Sequence, residues 1–289
     1  MPEQPADQVV NEIKKAGGKA VANYDSVENG ERIVETAIQA FGRIDVLLNN
    51  AGNLRDAPFE KMRDEDFEAV IQTHVKGAYR CARAAWPYFR KQKRGSVINT
   101  TSAAGLFGNA GRSNYSAAKS ALIGFTETLA KEGYKYNIIC NAIAPLFDSR
   151  MATAGALPKD LAASLSPGPV VALVAVLAHP SNKSETGGTF EVYGRHVAKL
   201  RWERAKGALL KTDSSLTPSA VLKKWDQVSD FSEPEHPIGP ADFVTYLEEA
   251  AKMGSNEQGP NVSLKGRVAL ITGAGGGYVI TVSVFLELG

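Results

Sequence analysis

Tyr115 and Lys119 stand four residues apart in Asn114-Tyr115-Ser116-Ala117-Ala118-Lys119, and Ser102 lies thirteen residues before the tyrosine. On a helix this spacing sets a phenol and an ammonium on one face. A neighbouring cation favours the phenolate, which makes a tyrosine usable as an acid or base near neutral pH. A serine hydroxyl at the end of a preceding strand can hold a carbonyl or hydroxyl oxygen of a substrate. The chemistry this implies is proton transfer at a carbon–oxygen centre. Because any amphipathic helix produces a tyrosine and a lysine four apart by chance, the weight rests on the surrounding segments.

Those segments alternate between helix and strand. Residues 7–16 read as a helix closed by Gly17-Gly18, 20–23 as a short strand, and 28–41 as an amphipathic helix stopped at Gly42. The apolar run 44–48 reads as a strand covered on both faces, and 64–91 as a long helix. Strand 96–100, a helix from Tyr115 to about Tyr136 and strand 138–143 follow. Pro167 and Pro169 delay the next helix to 170–179, and 189–192 reads as a last strand. This alternation implies right-handed crossovers and an α/β fold with a doubly wound parallel sheet. Open sheets of that kind bind ligands at the carboxyl ends of their strands, so Ser102, Tyr115 and Lys119 are expected to converge on one cleft there.

Composition narrows the function classes. The 289 residues carry a net charge of +2, with 44% hydrophobic and 22% charged side chains, an ordinary soluble globular balance. Nothing in it favours nucleic acid or a membrane surface, and Arg90-Lys91-Gln92-Lys93-Arg94 reads as a solvated helix end. No apolar stretch approaches the length of a membrane span. Cys81 and Cys140 sit in apolar segments without metal-ligand spacing, so they read as buried thiols and no metal is expected. The N-terminus has no secretory pattern, and Leu286-Glu287-Leu288-Gly289 is no peroxisomal address. Expressed alone, the chain is expected in the cytoplasm.

Several motifs appear in a telling order. Asp25-Ser26-Val27 precedes Asn49-Asn50-Ala51-Gly52 at a strand end, then come Ser102, Tyr115 and Lys119, and Ala144-Pro145 follows. Over residues 7–200 this resembles the short-chain dehydrogenase/reductase family. Leu54-Arg55-Asp56, Leu106-Phe107-Gly108-Asn109 and Leu200-Arg201-Trp202 are similar to the branch that forms the dehydrogenase region of peroxisomal multifunctional enzymes. The resemblance implies a Rossmann-like fold, NAD as cofactor, and oxidation of (3R)-hydroxyacyl-CoA to 3-ketoacyl-CoA in fatty acid β-oxidation. It further implies an acyl-CoA substrate, a homodimer and a peroxisomal setting. Under it Tyr115 is the general base, Lys119 lowers its pKa and holds the nicotinamide ribose, and Ser102 binds the reacting oxygen. His74 takes the place of an asparagine that anchors a proton-relay water in many members. Asp25, Ser26 and Asn49 fall on the adenosine side, and Phe147, Asp148, Ser149 and Arg150 on the nicotinamide side.

The pattern also departs from that family. The strand and Thr-Gly-x-x-x-Gly-x-Gly turn that cradle the pyrophosphate do not precede residue 7. The expected organisation is therefore a dehydrogenase-like domain at 1–235 with an incomplete first βαβ unit, a helix and linker at 236–262, and the start of a second unit at 263–289. Within the linker, 254–260 is rich in Gly, Asn, Gln and Pro and reads as flexible. In the second unit Val279 stands where the last glycine of the turn belongs, and the residues after it are mostly β-branched. Segment 267–272 has the pattern of the family's first strand, and it is expected to dock beside 44–48 while 20–23 moves inward or loses its pairing. Two functions stay open: an NAD-dependent dehydrogenase, or a catalytically silent fragment acting at most as an assembly or interaction partner.

Overall fold

Left-handed residues mark where helices must stop. Helix α2 (Gly30–Phe41) ends at Gly42, whose φ of 72° suits a residue without a β-carbon, and whose N–H reaches the Ile38 carbonyl at 2.8 Å. The chain then turns into strand β1 (Val46–Asn49). The computed structural model describes residues 5–146 and 165–263, with 266, 268, 270 and 272 beyond them. The chain divides into two compact units, 1–200 and 201–289, so residues 201–235 fall with the second.

The first unit is a doubly wound sheet. After α1 (Pro5–Lys15), α2 and β1 come α3 (Asp64–Ile71), a π turn (Gln72–Lys76) and α4 (Gly77–Gln92). Strand β2 (Gly95–Thr100) leads to α5 (Ala103–Phe107) and α6 (Ser113–Gly133), then β3 (Ile138–Leu146). Helix α7 (Gly168–Ala178) precedes β4 (Thr189–Tyr193), and β5 (His196–Leu200) returns antiparallel beside it. The order is β1-β2-β3-β4-β5, with β1 to β4 parallel. Strand β5 is an addition to the sequence reading, which ends the sheet at 189–192.

Alternation along β2 shows how two layers share one sheet. Val97 points into a core with Val34, Ala85, Phe89, Ala130 and Cys140, drawn from α2, α4, α6 and β3. Its neighbour Ile98 points into a second core with Leu173, Leu177, Phe190 and Val192. Successive residues of a strand face opposite sides, so a strand buried on both becomes a continuous apolar run.

Two sequence expectations need correction here. Strand β1 is not covered on both faces: Val46 and Leu48 are 40% and 43% exposed, while only Leu47 packs on the first core. Residues 20–23 form no strand, because none among the described residues lies beside them to complete a ladder. The expected docking of 267–272 beside β1 falls on a segment of which 267, 269 and 271 lie outside the described residues.

The second unit is tied by polar pairs. Arg204 and Glu235 form an isolated antiparallel bridge as well as an ion pair. Short helices α8 (Pro218–Lys223) and α9 (Trp225–Val228) precede α10 (Phe243–Ala251), and the Thr217 hydroxyl caps α8 by accepting from Ala220 N–H at 3.1 Å. The expected flexible linker 254–260 is instead fastened along its length. Buried Asn256 accepts from Lys211 N–H and donates to the Lys211 carbonyl, each at 2.9 Å, and Gly259 N–H reaches the Ser219 carbonyl at 3.1 Å. An amide side chain carries both donor and acceptor, so it can pair with a backbone as a strand would. Among the described residues no helix is long and apolar enough to cross a membrane.

Candidate active site

The site begins with the break in the long helix. Between α3 and α4 the Gly77 N–H bonds back to Gln72 C=O, which widens one turn and carries His74 inward to 2% exposure. The ring lies against Gly52, where an added β-carbon would stand 2.4 Å from His74 Cε1. That approach gives the glycine of Asn49-Asn50-Ala51-Gly52 its physical reason. His74 Nε2 meets the Asn53 carbonyl at 2.9 Å, and its Nδ1 is buried without a partner among the described residues.

The remaining members come from β2, α5 and α6. Ser102 follows β2 and caps α5 by accepting from Ala104 N–H at 3.2 Å. One helical face of α6 carries Tyr115 and Lys119. The tyrosine ring meets His74 edge-on, with centroids 5.3 Å apart at 89°. Lys119 Nζ donates to the Thr100 carbonyl at 2.5 Å and lies 5.5 Å from the centre of the tyrosine ring. In return the Thr101 hydroxyl donates to Lys119 C=O at 2.6 Å, which locks α6 to the end of β2. Ser102, Tyr115, Lys119 and His74 thus gather beside the carboxyl end of β2, as the sheet rule requires.

Burial dominates the electrostatics of the site. Burial pushes the Lys119 ammonium down to about 8. For Tyr115 burial is the largest influence and raises the phenol above its ordinary value; a hydrogen bond from Ser102 and the charge of Arg112 pull it down, and Asp56 pushes it up. With its ammonium 5.5 Å from the ring centre, Lys119 lies within the range at which a cation favours a phenolate. Burial, then the charge of Lys119, depress His74 to about 4 against a smaller opposing bond to Asn53, so the ring is neutral at pH 7.

The residues expected at the adenosine side are built into the framework. The Ser26 hydroxyl caps a short 3₁₀ turn by accepting from Glu28 N–H at 3.3 Å. Asp25 accepts from the Asn23 amide at 3.1 Å and pairs with Arg32 at 3.5 Å. Asn49 donates to the Asn99 side chain at 2.9 Å, and Asn99 passes the chain on to Thr126, joining β1, β2 and α6. Phe147, Asp148, Ser149 and Arg150 lie outside the described residues. The sequence reading passed over Asn114, which is fully buried, accepts from Tyr115 N–H at 2.7 Å and donates to the Arg55 carbonyl at 2.9 Å. Its place beside the tyrosine was the available signal.

Comparison with known proteins agrees with this geometry. The family model for short chain dehydrogenase matches residues 2–156. The chain is 66% identical over 272 residues to the peroxisomal hydratase-dehydrogenase-epimerase of Neurospora crassa, which covers 94% of this chain and 30% of that protein. The solved full-length peroxisomal multifunctional enzyme type 2 from Drosophila melanogaster aligns with a TM-score of 0.74 and 39% identity, over 85% of this chain and 43% of that one. A short chain dehydrogenase from Mycobacterium avium aligns with a TM-score of 0.67 and 34% identity, over 78% and 80% of the two chains. The chain therefore spans less than half the length of either multifunctional relative.

Proposed function

Because this chain belongs to the short-chain dehydrogenase family, we propose that it is a dehydrogenase portion of a peroxisomal multifunctional enzyme, oxidising (3R)-hydroxyacyl-CoA to 3-ketoacyl-CoA with NAD. The observation that carries this reading is the convergence of Ser102, Tyr115, Lys119 and His74 beside the end of β2. Members of the family use a nicotinamide dinucleotide. The fit is to its nicotinamide half: an ammonium has three donors, and Lys119 has one partner among the described residues. Tyr115 and Lys119 would hold the nicotinamide ribose. No glycine-rich strand-to-helix turn for the pyrophosphate lies among the described residues.

Held by Tyr115 and Lys119, NAD would supply the hydride acceptor for C3 of the substrate. The Tyr115 phenolate takes the hydroxyl proton as the C–O bond becomes a carbonyl, so charge and protons balance. Ser102, already bonded to the phenol, holds the same oxygen in line. Neutral His74 supplies a polar ring edge without a competing positive charge. Peroxisomal residence and a homodimer belong to the same proposal.

The test is a fluorescence titration of the full chain with NADH, followed by turnover of (3R)- and (3S)-hydroxyacyl-CoA. Saturable binding with oxidation of the (3R) substrate alone supports the reading. A folded chain that binds no NADH would favour the silent fragment.

A further inference from the structure

Two asparagines fasten loop 53–57 from opposite sides. Asn53 holds the π turn: its N–H lies 3.1 Å and its carbonyl 2.9 Å from His74 Nε2, and its amide donates to Thr73 Oγ1 at 2.8 Å. Asn114 holds α6 and is fully buried. Its amide nitrogen donates to the Arg55 carbonyl at 2.9 Å and to the Asp66 carbonyl of α3 at 3.2 Å, while its oxygen accepts from Tyr115 N–H at 2.7 Å. Both hydrogens and the oxygen of one amide are thereby used, on three segments. The outer edge of the same junction is closed separately, by Ala57 N–H on the Gly111 carbonyl at 2.9 Å and by the Arg112–Asp56 pair.

The first turn of α6 needs such a partner. Arg112 at the cap position makes no side-chain bond there, and the helical ladder starts with Ser116 N–H on the Arg112 carbonyl at 2.8 Å. The Tyr115 N–H, ahead of that ladder, would be an open donor without Asn114 Oδ1. One turn later Lys119 has its own fastening, because the Thr101 hydroxyl donates to its carbonyl at 2.6 Å. Asn114 joins the two elements that carry His74 and Tyr115, α3 with its π turn and α6, and the two rings meet edge-on with centroids 5.3 Å apart. We propose that Asn114 is a positioning residue for the acid/base: it sets how closely the Tyr115 turn approaches loop 53–57 and α3, and so fixes the phenol against His74. Lys119 is held independently of it. The inference rests on the reading of Tyr115 as the base, and deepens it.

The experiment reads geometry and turnover separately in the full chain. Geometry is read from the nuclear Overhauser effect between the Tyr115 and His74 rings, with the resonances assigned through Tyr115→Phe and His74→Asn. In Asn114→Ala that effect weakens, kcat falls by about 10²-fold, and the dissociation constant for NADH stays within about threefold. Asn114→Asp keeps an acceptor for Tyr115 N–H but sets an oxygen against the Arg55 and Asp66 carbonyls, so it loses turnover in the same way. Val34→Ala, a truncation on α2 in the first core, lowers the melting temperature and leaves kcat unchanged below the melt. An unmoved ring contact in Asn114→Ala, or a kcat loss no larger than that of Val34→Ala, overturns the proposal. NADH binding that weakens as much as kcat falls also overturns it, since α6 would then have loosened as a whole. Should Asn114→Ala fail to fold, Asn114→Thr, of similar bulk, decides by the same readouts. A starting chain without turnover, whose ring contact still weakens in the variant, supports the positioning and overturns the dehydrogenase reading. Undiminished turnover in the variant with an unmoved ring contact does the reverse.

Discussion

Tyr115→Phe removes one oxygen and leaves the ring packed edge-on against His74. Positioned acid/base groups contribute about 10²–10⁴-fold, so kcat should fall by that order with the melting temperature nearly unchanged. A variant that retains turnover would exclude Tyr115 as the base. His74 makes a separate prediction about stability. Its folded value is depressed to about 4 against the ordinary histidine value of 6.5. Between these two pH values the unfolded chain binds a proton that the folded chain refuses, so stability falls as pH drops through that window. The loss amounts to about 3 kcal/mol by pH 4. Urea midpoints measured at pH 7 and pH 4.5 should show it, and His74→Asn should remove most of the difference. An unchanged slope in that variant would assign the acid sensitivity to other groups.

At the scale of elements, close approach is what aligns the site. Gly105 in α5 faces α6 so tightly that an added β-carbon would stand 2.6 Å from the Lys119 carbonyl carbon and 2.7 Å from its Cβ. Those contacts are backbone and first side-chain atoms, which cannot swing away. Gly105→Ala should therefore cost about 1–3 kcal/mol, outweighing any gain in helix propensity. It should also push Ser102 away from Tyr115 and lower turnover beyond the stability loss. Thermal melts and kinetics of the same variant check both parts, and a fully active, equally stable protein would mean that α5 has room to shift. The π turn belongs to this scale too. Sequence periodicity indicates one helix over 64–91, because a single widened turn barely disturbs the apolar pattern. The turn nevertheless decides that His74 is a buried neighbour of the site rather than a solvated helix residue.

At the scale of the whole molecule, β1 is the exposed feature. Among the described residues its outer edge is unpaired, and Val46 and Leu48 present apolar surface beside it. An uncovered edge is a template for another strand, so the isolated chain should self-associate as concentration rises. Leu48→Lys should reduce that association in light scattering while altering the melting temperature little, since the side chain is only partly buried. Association that is insensitive to this charge would move the contact to another surface.

Local rules acting on local residues are what the sequence alone determined. Alternating periodicity was enough for the doubly wound sheet, and the four-residue spacing of Tyr115 and Lys119 was enough to set them on one helix face, because helix pitch and strand alternation are intrinsic to the backbone. Gly42 as a helix stop was legible for the same reason. Burial and pairing depend on what lies across space, and only the tertiary structure decided them. It left 20–23 without a ladder and β1 half in solvent, and it fastened 254–260 through Asn256. It also set the Lys119 ammonium on the Thr100 carbonyl, 5.5 Å from the centre of the Tyr115 ring, and buried both side chains. A charge acts through distance and dielectric, and neither can be read from residue spacing.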